Sequence, residues 1–245
     1  MDTTRRIPVP GTYNFRDPGG YRADGGLVRR GKLFRSDGLH ELGAAGRAEL
    51  AKLGVRVVID LRDDFEASVM PDDLDGLDVE VVRFPVFEGS GASQGAVGIT
   101  LGALYARIVD QHANVVIGVL REIAATGSDG VLVHCTAGKD RTGIVVALAL
   151  LAVGVDRAVV IEDYALSQAN LGGAWLEGMV SMVASYGVPD TPELRVLMGG
   201  SPPAVLEATL DIVERKHGSV RQYLLDGGLT LAELATLHHV LVEPG

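Results

Sequence analysis

The 245-residue chain has a single cysteine, Cys135, and five residues separate it from Arg141. The surrounding string reads Val131-Leu132-Val133-His134-Cys135-Thr136-Ala137-Gly138-Lys139-Asp140-Arg141-Thr142-Gly143. Three apolar β-formers without alternation predict a strand covered on both faces. The apolar run from Ile144 to Val155 predicts a buried helix. A loop between such a strand and such a helix lies at the carboxyl edge of a sheet, with its amides gathered at a helix N-terminus, and that arrangement binds anions. Arg141 adds a planar fork of donors matched to phosphate oxygens. Inward amides, a helix dipole and a guanidinium favour the thiolate over the thiol. A thiolate facing bound phosphate is a nucleophile for phosphoryl transfer to sulfur. A cysteine that merely packs in a core needs no Gly138, Lys139 and Arg141 beside it.

The string His134 to Gly143 resembles the His-Cys-x5-Arg-Ser/Thr signature of the protein tyrosine phosphatase superfamily. That resemblance implies an in-line attack by Cys135 on phosphorus, with a cysteinyl-phosphate intermediate. Arg141 would hold two equatorial oxygens and stabilise the transition state. Thr136, Ala137, Gly138, Lys139, Thr142 and Gly143 would complete the phosphate cradle, with Gly138 letting the chain curl around the anion. Thr142 is expected to donate its hydroxyl to the sulfur. His134 is expected to order the loop through hydrogen bonds rather than to shuttle protons.

The leaving oxygen needs a proton, so a general acid must be found. Ordinary tyrosine phosphatases use a Trp-Pro-Asp loop, but the one tryptophan, Trp175, lies in Ala174-Trp175-Leu176-Glu177-Gly178. Asp140 is the first candidate; it resembles the aspartate that myotubularin-like lipid phosphatases carry within the loop. A carboxyl beside bound phosphate keeps its proton because like charge disfavours ionisation. Asp60 is the second, at the carboxyl end of the strand Val55 to Leu61, with pairing to Arg62 or Arg141 as its other use. Lys139 resembles the Ala-Gly-Lys of the phosphatase-and-tensin homologue. A cation at the rim would suit a headgroup with several phosphates; the plain alternative is a solvent-exposed lysine.

These residues need a scaffold, and the rest of the chain supplies its signals. A helix is expected from Leu39 to Leu53 and a strand over Val79 to Phe87. The Asp63–Glu66 run that follows Asp60 is acidic, and Asp63 and Asp64 read as a solvated helix start. The Gly- and Ser-rich stretch Glu88 to Gly98 reads as a flap, and Leu101 to Ala125 as two helical halves. Asp24-Gly25-Gly26, with apolar residues on either side, suggests a hairpin or a tight loop. Asp156 caps a helix from Arg157 to about Ala169. Met179 to Tyr186 is helical, Ser201-Pro202-Pro203 opens another helix that ends at Gly218, and Thr230 with Glu233 forms a capping box.

Beyond the loop, the strings NFRDPGGY, GKLFRSD and IDLRDDFE, with a long helical C-terminal half, resemble a bacterial subgroup of tyrosine and lipid phosphatases. Pro18 departs from the leucine usual in the first string and affects only loop stiffness. The implied fold is α/β: a mostly parallel central sheet flanked by helices, tyrosine-phosphatase-like, with additional lid helices. Residues 1–245 read as one phosphatase domain, with 88–115 and 164–200 as flap and lid segments. The implied substrates are phosphorylated proteins or phosphoinositides, hydrolysed without a cofactor.

Composition sets limits on rival readings. A net charge of −10 argues against nucleic-acid binding. The lone cysteine excludes an internal disulfide framework. No Cys/His cluster has metal spacing. No apolar run reaches the roughly twenty residues of a membrane span. The expected location is cytoplasmic, with leaderless export open. Two rivals share the loop: a catalytically inactive phosphate-binding module, which needs no thiolate, and a sulfur transferase, which does not account for Thr142.

Overall fold

The structure is a computed structural model describing residues 5–87 and 99–245. The flap expected over Glu88 to Gly98 lies outside the described residues. In chain order the first elements are β1 (Arg22–Ala23), β2 (Gly26–Val28), β3 (Leu33–Ser36), α1 (Gly43–Lys52), β4 (Val55–Asp60), α2 (Asp64–Val69) and β5 (Glu80–Arg83). Then come α3 (Leu101–Gln111), α4 (Ala113–Ala125), β6 (Gly130–His134), α5 (Arg141–Ala152) and α6 (Arg157–Leu171). The C-terminal part holds α7 (Ala174–Ser185), α8 (Pro192–Gly199), α9 (Pro203–His217), α10 (Val220–Asp226), α11 (Leu231–Leu241) and β7 (Val242–Pro244).

Four strands form an all-parallel sheet in the order β3-β6-β4-β5. Central β6 is buried along its whole length, as its unbroken apolar run requires. Alternate side chains feed two cores. Val57, Ile59, Val131 and Val133 enter the larger one, with α3 to α5 and the C-terminal helices. Phe34, Val55, Val58 and Leu132 enter a smaller one under Val9, Phe15, Leu39 and Leu50. Each fully buried aliphatic side chain contributes about 1.5–3 kcal/mol of transfer free energy. Helix α5 is buried on nearly every side, so its N-terminus has one fixed position relative to β6.

The hairpin expected at Asp24-Gly25-Gly26 forms, pairing Arg22 with Leu27 and Ala23 with Gly26. Strand β7 adds to β2, which ties the end of the described chain to its beginning. The capping box at Thr230 and Glu233 is present. Two helices were not expected. Pro192 reads as a breaker, yet it opens α8 from a Thr191 cap, because proline fits the first turn of a helix. Helix α10 starts from a Ser219 side-chain cap, straight after Gly218 ends α9. Within 88–115, residues 101–111 are helix α3, with Tyr105 and Ile108 fully buried. No helix among the described residues is long and apolar enough to cross a membrane.

Candidate active site

The shape of the loop is fixed from outside. The Thr136 carbonyl accepts from the Gly38 amide at 3.0 Å. Asn14 Nδ2 donates to the Ala137 and Gly138 carbonyls, each at 3.1 Å, and Arg35 Nη2 donates to the Gly138 carbonyl at 2.9 Å. In a planar trans peptide the N–H points opposite the carbonyl, so with these oxygens turned outward the amides of Ala137, Gly138 and Lys139 face the concave side. That is an anion nest. Gly138 has φ +62°, and a Cβ there would come within 2.2 Å of the Ser36 carbonyl oxygen, so the turn requires glycine.

The outer donors are themselves locked. Arg16 and Arg35 share buried Asp163, with Arg35 Nη1 2.9 Å from Oδ2. Arg16 Nη1 also donates to Asn14 Oδ1 at 2.5 Å and Nη2 to Ser167 at 2.9 Å. Burial and the adjacent Arg35 charge bring Arg16 down to about 10, with Asp163 opposing the change. Burial alone would raise Asp163, but the Arg16 and Arg35 charges hold it below the usual carboxylate range.

Cys135 ends the β6 edge and is buried. Arg141 opens α5, and its fork meets Glu66 through Nη1–Oε2 at 2.5 Å and Nη2–Oε1 at 2.7 Å. Thr136 Oγ1 donates to the same Glu66 Oε1 at 2.7 Å. Burial works against the Arg141 charge, but the Cys135 and Glu66 charges outweigh it and keep the guanidinium protonated. Burial likewise opposes the Glu66 charge, and its bonds to Arg141 and Thr136 still bring it down to about 2.

Sequence reasoning passed over Glu66. Its Asp-x-x-Glu spacing is a capping box, with Asp63 accepting from the Glu66 amide at 2.8 Å and Glu66 from the Asp63 amide at 3.1 Å. That spacing was the available signal, since a carboxyl directed back toward a helix start points at whatever stands there. Asp64 is exposed, as a solvated helix start should be, whereas Asp63 is buried in the cap rather than solvated.

Two expected site residues turn elsewhere. Asp60 stands at the predicted sheet edge, opposite His134 in the β4–β6 register. Both of its oxygens, however, are engaged by Arg62, Oδ1 with Nε at 2.9 Å and Oδ2 with Nη2 at 3.0 Å. Arg62 also meets Asp72 at 2.8 Å, and His134 Nε2 lies 3.3 Å from Asp72. Asp60, Asp72 and His134 converge closely enough to hold a metal, but Arg62 already supplies the cation between the carboxylates. Lys139 is a correction: it is neither at the rim nor solvated. Its ammonium is fully buried and donates to the Leu197 and Gly200 carbonyls, both at 2.8 Å. The end of α8 leaves those carbonyls without helical partners, and a cation is their natural neighbour.

Asp140 remains beside Arg141, partly exposed, with Oδ1 accepting from Tyr105 at 2.6 Å. Thr142 Oγ1 is buried and makes no hydrogen bond among the described residues, so the expected bond to the sulfur is not formed. A crevice of about 250 Å³ opens next to Thr136, between Tyr13, His40 and Met70 on one side and Trp175, Met179 and Met182 of α7 on the other.

The sequence profile of the tyrosine phosphatase family matches residues 7–243. The chain belongs to that family and is a phosphatase. Triple specificity protein phosphatase PtpB of Mycobacterium tuberculosis is 30% identical over 96% of this chain and 98% of its own length. A putative tyrosine-protein phosphatase of Cupriavidus necator is 31% identical over 87% of this chain and 80% of its own. Among solved structures, TpbA of P. aeruginosa matches with a TM-score of 0.40 at 22% identity, covering 78% of this chain and 97% of that one.

Proposed function

We propose that the protein hydrolyses phosphotyrosine through a cysteinyl-phosphate, with Cys135 as nucleophile, Arg141 and the loop amides as the phosphate clamp, and Asp140 as general acid. The observation that carries this reading is the outward anchoring of three successive loop carbonyls, which turns the following amides to the inner side of a loop that holds a cysteine and an arginine. Such preorganised donors stabilise charge where it develops on the transferring phosphoryl group. Glu66 occupies one edge of the Arg141 fork and so fixes its plane. The buried Thr142 hydroxyl is free to meet a phosphate oxygen or the departing sulfur. With Asp60 committed to Arg62, Asp140 is the carboxyl with an oxygen to spare.

The leaving group follows from the crevice. No Lys or Arg is among the described residues lining it, and residues 88–98 contain none in sequence. Trp175 and three methionines favour an aromatic ring, for which polarisable sulfur is a good neighbour. A polyphosphorylated inositol headgroup would find Asp37 and Glu41 there instead of cations. Helix α7, within the 164–200 segment, serves as the lid over this crevice.

The test is a comparison of kcat/KM for a phosphotyrosine peptide and for a bisphosphorylated phosphoinositide, with Cys135→Ser as the blank. Turnover of the peptide by at least tenfold over the lipid, and of neither by the serine variant, is expected. Equal turnover of both would remove the aryl preference, and turnover by the serine variant would remove the covalent mechanism.

A further inference from the structure

We infer that Tyr105 is a positioning residue for Asp140: its hydroxyl takes Oδ1 of that carboxyl, sets the side chain's direction and leaves Oδ2 as the oxygen that carries the proton. This rests on the acid role proposed above. It begins with an irregularity at the start of α5. Asp140 stands at the N-cap, where an aspartate ordinarily accepts amides of the first turn, yet its side chain makes no capping bond. The carboxyl turns instead to Tyr105, whose hydroxyl donates to Oδ1 at 2.6 Å. Lys139 Nζ stands 3.2 Å from the same oxygen. Oδ1 is committed twice, and Oδ2 has no hydrogen bond among the described residues.

Tyr105 is itself held without slack. It is fully buried, its hydroxyl lies 2.8 Å from that of Tyr164, and the two rings meet edge to face with centroids 6.0 Å apart. Since the one Tyr105 proton is spent on Asp140, Tyr164 is the donor in that pair. Burial first, and the Asp140 charge second, push the Tyr105 hydroxyl well above the usual phenol range, so it remains a donor. In the first half-reaction the Oδ2 proton passes to the ester oxygen as the P–O bond breaks and the S–P bond forms. In the second, Oδ2 takes a proton from water as the water oxygen bonds phosphorus and the S–P bond breaks. Tyr105 gives up its proton in neither.

The experiment compares two aryl phosphates, one with a basic leaving group and one with an activated leaving group that departs without a proton. Tyr105→Phe should lower kcat about tenfold on the first, with little change in KM, and leave the second near wild type. The ratio of the two rates does not depend on how much of the variant is folded. Combined with Asp140→Asn, Tyr105→Phe should add no further leaving-group dependence. Tyr164→Phe, which leaves the Tyr105–Asp140 bond in place, should keep the wild-type ratio. An equal loss on both esters in Tyr105→Phe, or a full additional loss on top of Asp140→Asn, makes Tyr105 structural only and overturns the inference. A loss in Asp140→Asn that ignores the leaving group overturns the acid role and this inference with it, whereas the Cys135→Ser blank tests the covalent mechanism separately.

Discussion

Behind the phosphate loop, Asn14, Arg16, Arg35 and Asp163 are sealed from solvent and bonded to one another and to loop carbonyls. In front of it, Glu66 and Asp140 are partly exposed and reach the loop's side chains, and each has a neighbour that is also a reacting group or stands beside one. The rear network acts on backbone and sets shape. The front pair acts on side chains and sets chemistry. The two jobs are kept apart in space, so damage at Asp163 should register first in stability and damage at Asp140 first in rate.

The sharpest break of that division is at the sulfur. Cys135→Ser should remove turnover entirely while the thermal transition stays near wild type; Arg141→Lys should be almost as inactive, because an ammonium cannot reproduce the fork. Steady-state assay and calorimetry read the two halves of this claim, and an active serine variant would refute it. Next comes the rear: Asp163→Ala strands two buried guanidinium groups and should cost about 3–5 kcal/mol. Denaturant unfolding measures it, and an unmoved midpoint would mean the network is not what holds the loop.

The two aspartates give a contrast of intermediate size. Asp140→Asn should lose roughly a hundredfold on basic leaving groups and far less on activated ones. Asp60→Asn should lower both esters by one common factor and weaken the Arg62 cluster. Leaving-group dependence confined to the Asp60 variant would transfer the acid role there.

The smallest effect depends on pH. The Glu66 pKa is depressed to about 2 in the folded chain, so its contribution to stability is complete above the ordinary glutamate value and disappears as pH falls through the folded one. Each unit by which a pKa is displaced is worth about 1.4 kcal/mol, so the effect is a few kcal/mol at most. The stability gap between wild type and Glu66→Gln should therefore close between about pH 4.5 and pH 2. A gap that stays constant across that window would show that the carboxylate's charge is not what Arg141 uses.

Much of this arrangement was legible because it is local. The strand, loop and helix around Cys135 follow from periodicity over a short stretch, and the hairpin and capping box follow from turn chemistry. What was hidden depends on contacts far apart in sequence. Lys139 looked like a rim cation because nothing near it reveals the carbonyls at Leu197 and Gly200, about sixty residues away. Tyr105 sits in an apolar helix and reads as core, which it is, apart from one hydroxyl. Asp60 is the local exception: it faced the expected edge, and of its two expected uses the one seen is pairing with Arg62, two residues on, which takes both oxygens.

The Lys139 tie has a thermodynamic corollary. One end of it belongs to the phosphate loop and the other to the backbone that ends α8. Opening that end of the helix takes two carbonyl acceptors from a buried ammonium and leaves it only Asp140, and shifting the loop strands those two carbonyls. The part of a bound anion's free energy that is coupled through this tie must by reciprocity appear as extra protection of the α8 terminus. Slow amide exchange just after Leu197 thus becomes a gauge of occupancy at Cys135, readable without a turnover assay.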